Sequence, residues 1–97
     1  MDPKILKKIQ SPATLAKIVE ALKKKGKRVV LCHGVFDIVH LGHIRHFNQA
    51  KAQGDVLITS LTQDKYVKRG PGRPFFNDRL RAETLASLSV TDYVSIV

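Results

Sequence analysis

Apolar and polar positions alternate along the chain in two different periods. Leu15, Ile18, Val19 and Leu22 recur at helical spacing, with Ser11 and Pro12 before them as an N-cap acceptor and a first-turn proline. Lys23, Lys24, Lys25 and Gly26 follow, cations and a glycine suited to a helix end, so a helix is predicted to about Lys25. The period then changes. Val29 to Cys32 is a short β-branched apolar run, as expected of a strand buried on both faces. Ile44, Phe47, Ala50 and Ala52 restore the helical period from about Leu41 to Gln53, and Asp55 to Leu61 is a second apolar strand. Two glycines and two prolines within five residues make 70–74 a loop, preceded by a short helical turn at 65–69. Arg79 to Leu88 is helical again, and Asp92 to Val97 is a third apolar strand. The alternation predicts an α/β fold: a Rossmann-like parallel sheet with helices on both faces, three strands being visible. Because the third apolar strand closes the sequence, further sheet or a partner chain is expected to complete the fold.

Charge modifies this picture in one place. The 97 residues carry a formal net charge of +9. Residues 1–28 hold nine Lys and Arg against Asp2 and Glu20, so most of the excess belongs to a basic N-terminal helical extension, and 29–97 form the folded domain. Within that domain Lys65, Lys68, Arg69, Arg73, Arg79 and Arg81 cluster in the loop and the helix after the second strand. No apolar run is long enough for a membrane span, and no secretory signal opens the chain. A cytoplasmic location is expected. One cysteine, Cys32, excludes an internal disulfide framework and reads as a core thiol.

The candidate chemistry lies between the first strand and its helix. Gly34 to His43 occupies a junction where unpaired backbone N–H groups and the helix dipole attract anions. His40 and His43, three residues apart around Gly42, can face one ligand and donate hydrogen bonds to a phosphorus centre that gains negative charge. Gly42 lets a polyphosphate approach closely. His46 extends the spacing, but positions i, i+3 and i+6 drift around a helix and no carboxylates complete a set, so no metal site is assigned. His46 is read as a surface residue or one that backs the site without touching the ligand.

The stretch GVFDIVHLGHIRHFNQAKAQGDVLI, continued by GPGRPFFNDRLRAETLASLSVTDYV, resembles the cytidylyltransferase-like branch of the HxGH nucleotidyltransferase superfamily over roughly residues 28–97. Within that branch it is similar to the adenylyltransferase domain of ADP-heptose synthases, and next to glycerol-3-phosphate cytidylyltransferase. The resemblance implies transfer of a nucleotidyl group from a nucleoside triphosphate, ATP in preference to CTP, to a sugar or polyol phosphate with release of pyrophosphate. It also implies Mg²⁺ held through the nucleotide phosphates. Carried onto this chain, it makes His40, His43 and Lys68 catalytic. Gly34, Val35, Phe36, Asp37, Gly42, Arg73 and Arg81 would bind the nucleotide. Two departures stand out. His33 replaces the Asn or Tyr common in relatives, and Ser89, Val90 and Thr91 replace an arginine-bearing segment of the glycerol-phosphate enzymes. A later Ser/Thr-rich motif that completes the triphosphate site in the family has no counterpart after Asp92, so the 97-residue chain alone is expected to catalyse weakly. A homodimer or further chain would complete it. The rival readings are a non-catalytic nucleotide-binding module and a nucleic-acid-binding module, the latter because RGPGRP is similar to an AT-hook core and the N-terminal arm is basic.

Overall fold

A computed structural model describes residues 1–67, 70, 72 and 74–97. The elements are α1 (Pro3–Leu6), α2 (Pro12–Lys24), β1 (Val29–Gly34), α3 (Leu41–Lys51), β2 (Val56–Leu61), a 3₁₀ turn (Asp64–Tyr66), α4 (Asp78–Ala86) and β3 (Tyr93–Ile96). Both ladders are parallel and the strand order is β1-β2-β3, with Cys32 opposite Thr59 and Thr59 opposite Val94.

Local chemistry accounts for the helix limits. The Ser11 side chain accepts the Thr14 N–H at 3.2 Å and Pro12 sits at the first position of α2. At the other end Gly26 has φ +77°, and its N–H donates to Lys23 O while Lys27 N–H donates to Leu22 O. That pairing is a Schellman closure, which needs a left-handed residue and so favours glycine. Asn77 caps α4 by accepting the Leu80 N–H at 2.9 Å.

Side chains alternate across the sheet, so each face has its own fate. One face carries Cys32, Leu57, Leu61 and Val94 into a core shared with Phe47 of α3 and with Ala82, Leu85 and Ala86 of α4. Phe47, Leu57, Leu61, Leu85 and Val94 are completely buried. The opposite face is covered by α2, which contacts β1 and β3. Between α2 and the sheet lies an apolar groove lined in part by Leu15, Val19, Leu31 and Ile58. Here the expectation for the first strand is corrected: Leu31 is 63% exposed. Among the described residues β1 pairs only with β2, so it is an edge strand with one face half-covered rather than a strand buried on both sides.

The N-terminal residues are joined to the sheet. Ile9 bridges to Val94, Val94 N–H donates to Lys8 O and Gln10 N–H to Val94 O. Lys8 Nζ also donates to the Leu88 carbonyl at 3.1 Å. Short α1 lacks the apolar periodicity that would reveal it in sequence; it depends on Asp2, whose side chain accepts the Lys4 N–H.

Candidate active site

The carboxyl end of β1 opens into a pocket of about 470 Å³ lined by residues of the β1–α3 junction, among them Gly34, Val35, Phe36, Asp37, His40 and His43. Sharp redirection of the chain creates it. Phe36 has φ +54°, the one non-glycine residue with positive φ among those described. Such a conformation costs about 1–3 kcal/mol and persists only where its surroundings enforce it. Three contacts do so. A guanidinium nitrogen of Arg81 donates to the Val35 carbonyl at 2.8 Å. Asp37, 7% exposed, accepts the N–H groups of Phe75 and Phe76 at 2.9 and 3.0 Å. The Phe36 ring lies over Gly34, where a Cβ would sit 2.8 Å from the Phe36 Cζ.

The two histidines of the HxGH segment cap α3. His40 occupies the N-cap, and its Nδ1 accepts the Gly42 N–H at 3.0 Å. His43 Nδ1 accepts the His40 N–H at 3.1 Å, giving a reciprocal arrangement in which imidazoles replace the usual hydroxyl and carboxylate. Gly42 is needed for this cap itself: a Cβ there would stand 2.8 Å from His40 Cε1. Since each Nδ1 is an acceptor, the proton of each neutral ring resides on Nε2. The rings lie 4.1 Å apart between centroids at 45°, so the two imidazoles, each with Nε2–H as its free donor, are held against each other. His43 also meets Phe36 edge-on, at 5.5 Å and 80°. Burial pushes the His43 pKa below the ordinary imidazole value, and the neighbouring His40 and His46 lower it further. His43 is thus favoured as a neutral hydrogen-bond donor.

The remaining predicted residues separate. Gly34, Val35, Phe36 and Asp37 line the pocket with His40 and His43. Arg81 lies beneath it, 1% exposed, with its donors directed to protein acceptors. Lys68 and Arg73 lie outside the described residues. Three further pocket neighbours, Cys32, His33 and His46, were named in the sequence without being assigned to the site. His33 Nδ1 is 2.7 Å from Ser60 Oγ, and His46 Nε2 is 3.8 Å from the Cys32 sulfur. Burial raises the Cys32 pKa, which keeps the thiol protonated and unreactive near neutrality. The His46 spacing was visible, but which helix face turned toward β1 was not.

Comparison with known proteins matches this geometry to a family. The cytidylyltransferase-like family profile fits residues 31–97. The chain belongs to that family. It is 43% identical over 91 residues to the bifunctional protein HldE of Geobacter metallireducens, covering 92% of this chain and 19% of the relative. It is 48% identical over 81 residues to HldE of a Nitratiruptor species, covering 81% of this chain and 18% of the relative. The chain therefore spans about a fifth of the length of these curated relatives. A lipopolysaccharide core biosynthesis protein from Thermoplasma volcanium is similar in structure, with a TM-score of 0.68 and 31% identity over 73% of this chain and 58% of that one. No helix among the described residues is long and apolar enough to cross a membrane.

Proposed function

We propose that this chain carries the phosphate-binding half of a nucleotidyltransferase that joins a nucleoside triphosphate, ATP in preference to CTP, to a sugar or polyol phosphate. The observation that carries the reading is the pair of Nε2–H donors, His40 and His43, locked at the N-terminus of α3 above the end of β1. In the reaction an oxygen of the acceptor phosphate attacks the α-phosphorus, the bond to the bridging oxygen of the β-phosphate breaks, and pyrophosphate leaves with that electron pair. Charge grows on the phosphoryl oxygens as the transition state forms. The two imidazoles meet that charge without moving, because the same contacts that cap α3 already hold them. The dipole of α3 adds to the same field. The family resemblance implies that Lys68 and Arg73 contact the nucleotide's phosphates.

Among the described residues no group of three His, Cys, Asp or Glu side chains is placed to hold a metal ion, and Asp37 receives two backbone amides. Magnesium is taken to ride on the nucleotide's own phosphates, and no step is assigned to it. Bound through the triphosphate, it would neutralise phosphate oxygens. The sugar-phosphate acceptor is supported by the lipopolysaccharide core biosynthesis relative and by the HldE relatives. Exposed Leu31 on the half-covered face, and the outer edge of β1, which has no strand partner among the described residues, support completion by further chain.

The test is pyrophosphate release by the full natural open reading frame, with ATP or CTP against heptose 1-phosphate and glycerol 3-phosphate. Turnover with ATP and the heptose phosphate is expected. No turnover with any pair, together with tight DNA binding that weakens steeply with salt and ignores both triphosphates, would replace this reading with the nucleic-acid one.

A further inference from the structure

Arg81 carries a charge at 1% exposure, and its bonds reach three separate segments at the carboxyl ends of the strands. Nε donates to the Phe76 carbonyl at 3.0 Å, and one terminal nitrogen donates to the Val35 and Thr62 carbonyls at 2.8 Å each. The other terminal nitrogen pairs with Asp64 Oδ1 at 2.7 Å. We infer that Arg81 is a positioning residue: by holding the Val35 carbonyl it sets the Phe36 backbone and, through the Phe36 ring, the orientation of the His43 imidazole.

Each link is a direct contact. The Val35 carbonyl belongs to the peptide plane that leads into Phe36, so anchoring its oxygen restrains rotation about the Phe36 N–Cα bond, which stands at φ +54°. That conformation directs the Phe36 ring over Gly34 and edge-on against His43. The ring also meets Phe47 of the core, at 5.4 Å between centroids and 70°. Phe36 is thereby braced from behind and cannot yield without His43 following. Thr62 and Asp64, on the same guanidinium, tie the segment after β2 to this frame. A lysine at position 81 keeps the charge but lacks the planar fork that reaches carbonyls and carboxylate together.

The kinetic arm of the test rests on the nucleotidyl-transfer reading; the spectroscopic arm does not. In the full natural protein, Arg81→Lys and Phe36→Leu are compared with the parent by steady-state kinetics, thermal melting and ¹⁵N NMR of the His43 ring. The parent is expected to show His43 as a single Nε2–H tautomer. Both variants should show a mixed tautomer population and a kcat lowered about 10- to 100-fold, the loss expected for a misplacement near 1 Å, with KM for the triphosphate little changed. Arg79→Ala, exposed on α4 and paired with Glu83, should change neither readout. A folded Arg81→Lys protein with the parental tautomer and kcat overturns the inference. Where Arg81→Lys does not fold, Phe36→Leu decides in the same way, since it leaves the Arg81 bonds in place. An inactive parent would overturn the transfer reading alone, and the tautomer measurement would still decide the positioning role.

Discussion

Arg81 and Lys51 each fasten one end of the parallel strands, Arg81 at the carboxyl ends and Lys51 at the amino ends. Lys51 Nζ, at the end of α3, pairs with Asp92 at 2.5 Å and donates to the Asp55 carbonyl at 2.9 Å, while Asp92 also accepts the Leu57 N–H at 2.7 Å. Both side chains of that pair remain about one-third exposed, 33% and 34%. Arg81 instead is 1% exposed, bonded to three backbone carbonyls and, on its outer side, to Asp64, which is 40% exposed. The same kind of bond serves two purposes: at the amino ends a solvated strap aligns elements that the core already holds, and at the carboxyl ends a buried cation substitutes for packing in a region made of loops. The carboxyl ends are where the chain departs from regular structure, so that is where polar contacts must define the geometry.

Substitutions should separate the two ends. Arg81→Met leaves three part-buried carbonyl acceptors without their donor and Asp64, 40% exposed, without its partner, and a loss of about 3 kcal/mol is expected, near 1 for each unpaired acceptor, read by denaturant unfolding. A loss below about 1 kcal/mol would mean the loops hold themselves, and the contrast between the two ends would collapse. His43→Ala should lower the transfer rate about 10²-fold or more in the full enzyme. A near-parental rate removes His43 from the mechanism. Gly34→Ala places a methyl group against the Phe36 ring, and overpacking of this kind costs about 1–3 kcal/mol. An unchanged melting temperature would show that the ring swings aside freely. Lys51→Ala should cost only about 0.2–1 kcal/mol, as for other exposed pairs, and a larger loss would make the amino end as dependent on its cation as the carboxyl end.

The smallest effect expected is that of pH. The His43 pKa is lowered in the folded chain, so the unfolded chain binds more protons between the two values. Stability should therefore be fullest above the ordinary imidazole value near 6.5, decline as pH falls through it toward the folded value, and level off below that. Removal of this dependence in His43→Ala, measured by unfolding at a series of pH values, would assign it to that ring. Its persistence would assign it elsewhere.

Much of the fold is readable from residue order because its signals are local. A serine before a proline starts α2, a glycine ends it, and the runs at 29–32 and 56–61 are too short and too apolar for surface helices. The junction at Gly34 to His43 is readable for the same reason: strand, glycine and a helix opened by His40 follow one another directly. Short α1 and the bridge from Ile9 to Val94 were not readable, because the partners are 85 residues apart. Nor was the edge position of β1, since an apolar strand has the same composition at an edge as in the middle of a sheet.

The sharpest division concerns the residues around the HxGH segment. Sequence alone determined that two histidines flank a glycine at the start of a helix, which is enough to expect a phosphate site, because the orphan N–H groups and the spacing are consequences of local chain geometry. Only the tertiary structure decided what those residues do to one another: that both Nδ1 atoms are occupied by backbone N–H groups, that Gly42 makes room for the His40 ring, and that Arg81 supports the pocket from below rather than lining it. The physical reason is distance along the chain. Arg81 reaches Val35 across 46 residues, and a side chain with five donors satisfies whichever acceptors the packed core presents, a choice made when the strands and α4 assemble.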